Sequence, residues 1–374
     1  MLDYFFISVT LVNDWLEELN FASRNHFTTN TTLKLRSLAR IHTARDDNQF
    51  PHTGHNETRI YKDSFTPDTM LLKSSSEDFI VEEILDTTTI LDESGSYSLY
   101  TLKKRQWNTE DCIQWLMRGF NKERRDFAVC GNKDKHAITT QYLTIRHGPK
   151  EVRTPNEGEK FFTLEYLGRT KEPLRLGAHS KNKFIITVRA LGPAWEGKTL
   201  TRKPIRNTFG EQRFSEQNDT VGMMLVRKQY KEAARALGLD PGNEPVAALR
   251  AIPKHTRILY VHAAQSRIWN ELAATIMPPT DGSNPLIPMP GYGPEGDAQY
   301  LPAMDALLEK QGLDRMSFVN RSMPELSVEG NARKLFQDVE EFSATPIVDG
   351  TCTLSFTLGT GQYATETVRQ LFDN

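Results

Sequence analysis

The sequence predicts an α+β protein: a mixed, mostly antiparallel sheet interrupted by a helix-rich block. Three observations carry that prediction. Apolar runs of strand length recur between residues 78 and 188, and the links between them are mostly too short for the helical crossovers of a parallel sheet. From about residue 221 to 276 the apolar spacing changes to a helical period, and strand texture returns only near the C-terminus.

Taken in order, residues 1 to 65 hold a short amphipathic stretch at 14 to 19 and then a polar run rich in Thr, Asn and His. Such a composition buries little surface and reads as a poorly ordered appendage. Residues 78–84 and 97–102 read as strands. Thr109 is placed to cap a helix reaching Phe120, because Ile113, Trp115, Leu116 and Phe120 fit helical spacing. Further strands are expected at 127–130, 141–146, 161–167 and 184–188. Helices are expected at 221–226, 231–237 and 263–276, then a closing strand at 351–358 and a helix at 365–372. Pro, Gly and Asn dominate 278–296.

A chain of 374 residues is long enough for two domains, or for one with a large insertion, and 38% hydrophobic content excludes disorder throughout. The three cysteines, Cys112, Cys130 and Cys352, have no close pairing, which excludes a disulfide framework and a cysteine-based zinc site and fits a reducing compartment. The apolar run at residues 5 to 12 is far shorter than the ~20 residues of a membrane span and lacks a basic leader. A soluble intracellular protein is expected.

The net charge of -2 hides a basic run. Residues 167–213 carry eleven Lys and Arg against three Glu. A solvated face is one reading of it. The other is a polyanion surface, with Phe184, Trp195 and Phe209 lying among the charges where an unstacked base can find a ring.

Residues 192–199 match the P-loop pattern letter for letter and follow a strand. A P-loop needs a helix directly after its lysine, because the helix N-terminus helps to cradle the phosphates. Here Pro204 follows Lys198 closely, and Pro193 and Trp195 are bulky where backbone must wrap a phosphate. The P-loop is therefore disfavoured. Asn132, Lys133, Asp134 and Lys135 are superficially like the base-reading motif of GTPases, but that motif needs a residue between its lysine and aspartate. His52 and His55 lack a third ligand at metal spacing. No metal site and no cofactor site is expected.

The informative segment is 127–141. A buried strand ends at Gly131, the next turn presents Asp134 between Lys133 and Lys135, and a second strand follows. Flanking cations favour an ionised carboxylate, which a nucleophile or general base needs. A salt-bridged turn aspartate is the plain structural alternative.

This segment resembles the signature of the TruD family of pseudouridine synthases, matched by Gly131, Lys133, Asp134, Lys135, Ala137, Thr139 and Gln141. Four more blocks resemble the family in order. They are Lys73, Asp78, Phe79, Val81 and Glu83; Leu174 to Gly177 with Asn182, Lys183 and Phe184; Asn207 to Phe214; and Gly361, Tyr363, Ala364, Thr365 and Arg369. Ser215 stands where the family usually has glycine and Gly359 where it usually has proline.

The resemblance implies a pseudouridine synthase catalytic domain over 66–228 and 334–374, an α-rich TruD insertion domain over 229–333, and an N-terminal extension over 1–65. It implies isomerisation of a uridine in RNA, with tRNA the expected substrate and no cofactor or metal. Asp134 is the implied catalytic residue. Phe79, Asn207, Phe209, Tyr363 and Lys73 are the implied substrate-binding residues, Phe209 as the ring packed on uracil and Lys73 as a partner of Asp134 or of a phosphate. Arg175 and Arg213 are readable as fold-stabilising or backbone-binding. A monomer is expected, with no obligate protein partner, in the cytoplasm or, in a eukaryote, also the nucleus. The rival readings are an inactive RNA-binding member of the same fold and a P-loop nucleotidase.

Overall fold

The computed structural model describes residues 70–373 except 216, 294 and 295. The expectations for residues 1–65, including the helix at 14–19 and the His52 and His55 pair, lie outside the described residues. Contacts divide the described chain into two units, one made of 70–205 with 337–373, the other of Arg206–Phe336.

The first unit is built on β1 (Phe79–Ile84), β2 (Tyr97–Arg105), α1 (Thr109–Phe120), β3 (Phe127–Val129), β4 (Ile138–Arg146), β5 (Asn156–Glu157), β6 (Lys160–Thr170) and β7 (Lys181–Val188). After the second unit the chain returns with β10 (Glu340–Ala344), β11 (Cys352–Gly359) and α8 (Ala364–Phe372). Among the described residues these strands form one sheet, ordered β10-β11-β7-β1-β4-β2-β6-β5, with β3 also on β4. The β1–β4 pair is parallel and the other pairs are antiparallel. The mixed, mostly antiparallel sheet expected from the short connections is what forms.

Register explains which side chains meet. Lys104 faces Thr139, Thr139 faces Val81, Val81 faces Phe184, and Phe184 faces Phe356, so these five share one face of the sheet. All five are buried. Beneath them α1 contributes Cys112, Ile113 and Leu116 to one apolar cluster, while α8 contributes Ala364, Val368 and Leu371 to the other. Each large aliphatic side chain so buried contributes about 1.5 to 3 kcal/mol. The single charged member of the row is Lys104.

Helix α1 spans the expected residues, but Asn108 is its N-cap and Thr109 its first residue. The hydroxyl of Thr109 is used elsewhere, as described below. Strand β4 begins three residues earlier than expected, because the parallel pairing with β1 captures Ile138, Thr139 and Thr140. The link from β6 to β7 must pass β2, β4 and β1. It is tied down where Leu174 N donates to Thr144 Oγ1 (3.1 Å), Gly177 N to Cys130 O (2.7 Å) and Ser180 N to Ile84 O (3.0 Å). Gly177 has φ 76°, a left-handed conformation open to glycine.

The second unit holds α2 (Glu211–Phe214), α3 (Asn218–Val226), α4 (Tyr230–Ala236), α5 (Pro245–Arg250), α6 (Lys254–Thr275), α7 (Leu301–Lys310) and the two-stranded sheet of β8 (Leu286–Met289) with β9 (Asn331–Lys334). Helix α6 is its spine, burying Ala263, Ala264, Ile268, Trp269 and Leu272. A Cβ at Gly222 would run into the Tyr260 carbonyl, so glycine lets α3 lie directly on α6. That contact places 206–228 with the helical unit, so the division falls between Ile205 and Arg206, ahead of the 228/229 boundary read from the sequence. At the C-terminal side the division follows Phe336.

Candidate active site

The loop between β3 and β4, residues 130–137, carries the signature segment, and the signature residues Gly131, Lys133 and Gln141 anchor it. Gln141, fully buried on β4, donates through Nε2 to Gly131 O (2.9 Å) and accepts from Thr109 Oγ1 (2.7 Å). Thr109 Oγ1 in turn accepts from Lys133 N (3.1 Å). The start of the loop is thus clamped to β4 and to the first turn of α1. Lys133 reaches Glu83 Oε1 at 2.5 Å, and Glu83 Oε2 accepts from Tyr142 N at 2.8 Å, locking the loop to β1 as well. Burial pushes the Glu83 carboxyl above its usual value, with Lys133 and the Tyr142 amide pulling the other way.

This clamping leaves Asp134 at the surface of the loop, its side chain 35% exposed. Its Oδ1 accepts from His136 N (2.9 Å) and its Oδ2 from Lys73 Nζ (2.5 Å). The dry surroundings raise the carboxyl pKa, but the Lys73 charge and hydrogen bond and the His136 amide outweigh them, holding it below the usual carboxylate range. Lys73 has φ 58°, a conformation uncommon for a lysine, and its Nζ sits 4.3 Å from the centre of the Phe79 ring. An ammonium on an aromatic face and an ionised carboxylate therefore meet at one exposed point. Such a carboxylate can attack an electrophilic carbon or accept a proton.

The other expected residues fall as follows. Phe79 is a core residue, 5% exposed, edge-on to Phe184 at 6.2 Å, and it meets the site through Lys73. Tyr363 is the partly buried N-cap of α8, with its carbonyl accepting from Gln337 Nε2 (3.3 Å). It follows β11 at the end where Gly359 faces Lys181 and Lys181 faces Ile84, whereas Phe79 begins β1 at the other end. Asn207 and Phe209 belong to the helical unit. Asn207 Oδ1 accepts from Arg333 Nη2 at 2.5 Å, and the Arg333 guanidinium lies 4.2 Å from the centre of the Phe209 ring. Phe209, 3% exposed, also meets Trp269 edge-on at 5.8 Å. The sequence singled out the pair but missed Arg333, which no local pattern marks.

It also missed Lys104, fully buried on β2, whose Nζ donates to Asp134 O (2.7 Å) and Lys133 O (3.0 Å). The one signal was a lysine at the inward position of an alternating strand. Arg213 is buried and donates to Ser266 Oγ (3.1 Å), while Arg175 is exposed in the β6–β7 link. Three members of the basic run form ion pairs within the fold: Lys171 with Asp92, Lys181 with Glu340 and Arg189 with Asp78. Among the described residues, no helix is long and apolar enough to cross a membrane, and no group of three or more His, Cys, Asp or Glu is arranged to hold a metal.

Both departures from the family pattern have local consequences. Ser215 takes φ 46° and ψ -147°, a glycine-like conformation. Gly359 N donates to Gln362 Oε1 (3.2 Å), a bond proline lacks the hydrogen to make.

The family model described as tRNA pseudouridine synthase D (TruD) matches residues 56–245 and 280–371, well over half of the chain. The chain is 27% identical over 355 residues to the Methanopyrus kandleri protein named "Probable tRNA pseudouridine synthase D", covering 74% of this chain and 86% of that protein. It is 25% identical over 379 residues to the "tRNA pseudouridine synthase D" of Aquifex aeolicus, covering 80% and 97%. Among solved structures, the "Putative tRNA pseudouridine synthase D (TruD)" of Methanosarcina mazei shares the fold, with a TM-score of 0.61 at 21% identity over 80% of this chain and 92% of that one. The loop, its clamp and these matches lead to one conclusion: the chain belongs to the TruD family of tRNA pseudouridine synthases.

Proposed function

We propose that this chain converts a uridine of RNA, in the first place of tRNA, to pseudouridine, and that Asp134 is the carboxylate that acts on the target nucleotide. The reaction breaks the N1–C1′ bond, turns the uracil and joins C5 to C1′, after which the C5 proton is removed and N1 takes up a proton. Atoms and charge balance without an external oxidant, reductant or hydrolytic water. Each conceivable route, attack on the sugar, attack on the ring, or removal of a sugar proton, needs an ionised carboxylate beside the ribose. The observation that carries the reading is the 2.5 Å pair between Lys73 and the partly exposed Asp134, on a loop clamped from three sides.

The target base must leave its stack to reach that carboxylate, at a cost of a few kcal/mol that pocket contacts have to offset. Phe209 and Asn207 are the proposed base-binding pair, and a base reaches the Phe209 ring, 3% exposed, only once that ring is uncovered. Lys73 orients and ionises Asp134, and Phe79 supports Lys73. Arg175, exposed beside the hairpin base, is offered to a phosphate. The enzyme acts inside the cell, in the cytoplasm or nucleus, where RNA is matured. Purified Asp134→Asn and Asp134→Ala proteins should form no pseudouridine in tRNA while binding it within threefold of the native protein. Substantial turnover by either variant removes Asp134 from the mechanism. Failure of the native protein to modify any cellular RNA favours the inactive RNA-binding alternative.

A further inference from the structure

We infer that Lys104 is a positioning residue for Asp134: its buried ammonium grips the peptide carbonyls on either side of the Asp134 Cα and so aims the reactive carboxylate. The inference rests on Asp134 being the acting group. Strand β2 presents Tyr100, Leu102 and Lys104 to one face, and the first two are core. A lysine fully withdrawn from water at the third position is costly unless its donors are satisfied. Here two of its three donors are met by Lys133 O and Asp134 O, at 3.0 and 2.7 Å. No other feature of the loop holds those two carbonyls so directly. The Gln141 and Thr109 clamp stops at Gly131 and Lys133, and Lys73 holds only the carboxylate end.

The remaining charges around Lys104 do not make this an ordinary ion pair. Strand β4 opposes it with Thr139 and strand β6 with Phe162. From α1 it faces the Cys112 thiol and, farther off, Asp111; from the loop it faces Lys133 and Asp134. Burial outweighs these and brings the ammonium down to about 8. A neutral amine keeps two N–H donors but loses the charge-assisted part of each bond, about half its strength. The grip on the loop therefore loosens as pH rises through that value.

The test is single-turnover pseudouridine formation with native protein, Lys104→Met and Lys104→Gln. Lys104→Met should lose at least 30-fold in rate while its affinity for tRNA changes less than threefold. Lys104→Gln, which keeps amide donors without a titrating charge, should recover part of that loss. The native rate should fall severalfold from pH 7 to 9.5 with a midpoint near 8, and that fall should be absent in Lys104→Gln. A folded Lys104→Met within threefold of native rate overturns the inference. So does a native profile flat to pH 9.5, which needs no variant to fold. If Asp134→Asn stays active, the proposed chemistry fails; if Asp134→Asn is dead and Lys104→Met is not, only the positioning role fails.

Discussion

Two loops of this protein follow strands, contain glycine and lysine, and look in one-letter sequence like phosphate or nucleotide motifs. One, residues 130–137, presents the candidate carboxylate. The other, residues 192–199, is consumed by its own packing. Trp195 meets Phe372 edge-on at 5.1 Å, and Lys198 Nζ sits 5.1 Å from the centre of the Trp195 ring. Gly197 N donates to Ile347 O (2.9 Å), and Ile347 N to Lys198 O (2.8 Å). The Glu196 carboxylate accepts from the amides of Asp349 and Gly350. No helix follows Lys198; the next is α2, from Glu211. Residue types alone do not make a site. In the first loop the anchoring is done by neighbours, which leaves one carboxylate to face outward. In the second, the polar groups of the loop are themselves the anchors.

Removing the ammonium that pairs with the first loop, and the one within the second, tests that contrast most severely. Lys73→Met should lower the rate about 100-fold or more, in the range seen when one charge-positioning donor is removed, whereas Lys198→Met should stay within twofold. The pH profile sharpens the point. With its pKa held below the usual range, Asp134 should stay ionised across pH 5 to 7 and the native acid side should be flat. In Lys73→Met, burial acts with less opposition and an acid limb should enter that window. ATP-dependent turnover that disappears in Lys198→Met would reverse the assignment of the two loops.

A stability measurement separates the clamp from the chemistry. Lys104 has a folded pKa brought down to about 8 from an ordinary 10.5. The unfolded chain therefore binds more protons between those values, and native stability rises with pH there. That contribution is fully present above 10.5 and is lost as pH falls through 8, amounting to roughly 3 kcal/mol. Denaturant unfolding of native protein relative to Lys104→Met should show this rise, and parallel curves from pH 7.5 to 10.5 would contradict it. On the other loop, Trp195→Ala should cost about 2 kcal/mol of stability, less than a fully buried tryptophan, with the single-turnover rate unchanged. The smallest effect belongs to the helical unit. Ser215→Gly should stabilise it by about 1 kcal/mol by relieving a positive φ, and a lower midpoint for that variant would show that the serine is held there by its contacts.

Most of the sheet was legible because its strands bury one face. The apolar runs at residues 79–81, 99–102 and 184–186 mark strands with no tertiary information, whereas the inward placing of Glu83 with Phe79 and Val81 shows only in the fold. Helix α1 was legible at its last position, but its start was read one residue late because its cap was misread. Thr109 looks like a cap in sequence, and only the fold shows Asn108 in that place and the Thr109 hydroxyl turned to Gln141. Helix α6 begins nine residues before the expected 263, and α7 was not expected at all. The moment of α6 is weak because it is buried on several sides, so periodicity under-reports it. Linear charge counts also cannot see that Asp92, Glu340 and Asp78 return from distant positions to meet three members of the basic run, Lys171, Lys181 and Arg189.

By itself the order of residues determined the fold class and the family and singled out Asp134 as the candidate carboxylate, because apolar runs of strand length and the glycine-lysine-aspartate signature are local patterns. Tertiary structure chose between the two partners the resemblance left open for Lys73, setting its ammonium on Asp134 from 61 positions away. It alone decided that a lysine near the end of β2 donates to the backbone of the Asp134 loop, and that a perfect P-loop string is a piece of packing. The physical reason is the same in each case. A charge has no fixed meaning until its neighbours set its solvation and its partners, and those neighbours arrive from elsewhere in the chain only when the sheet closes.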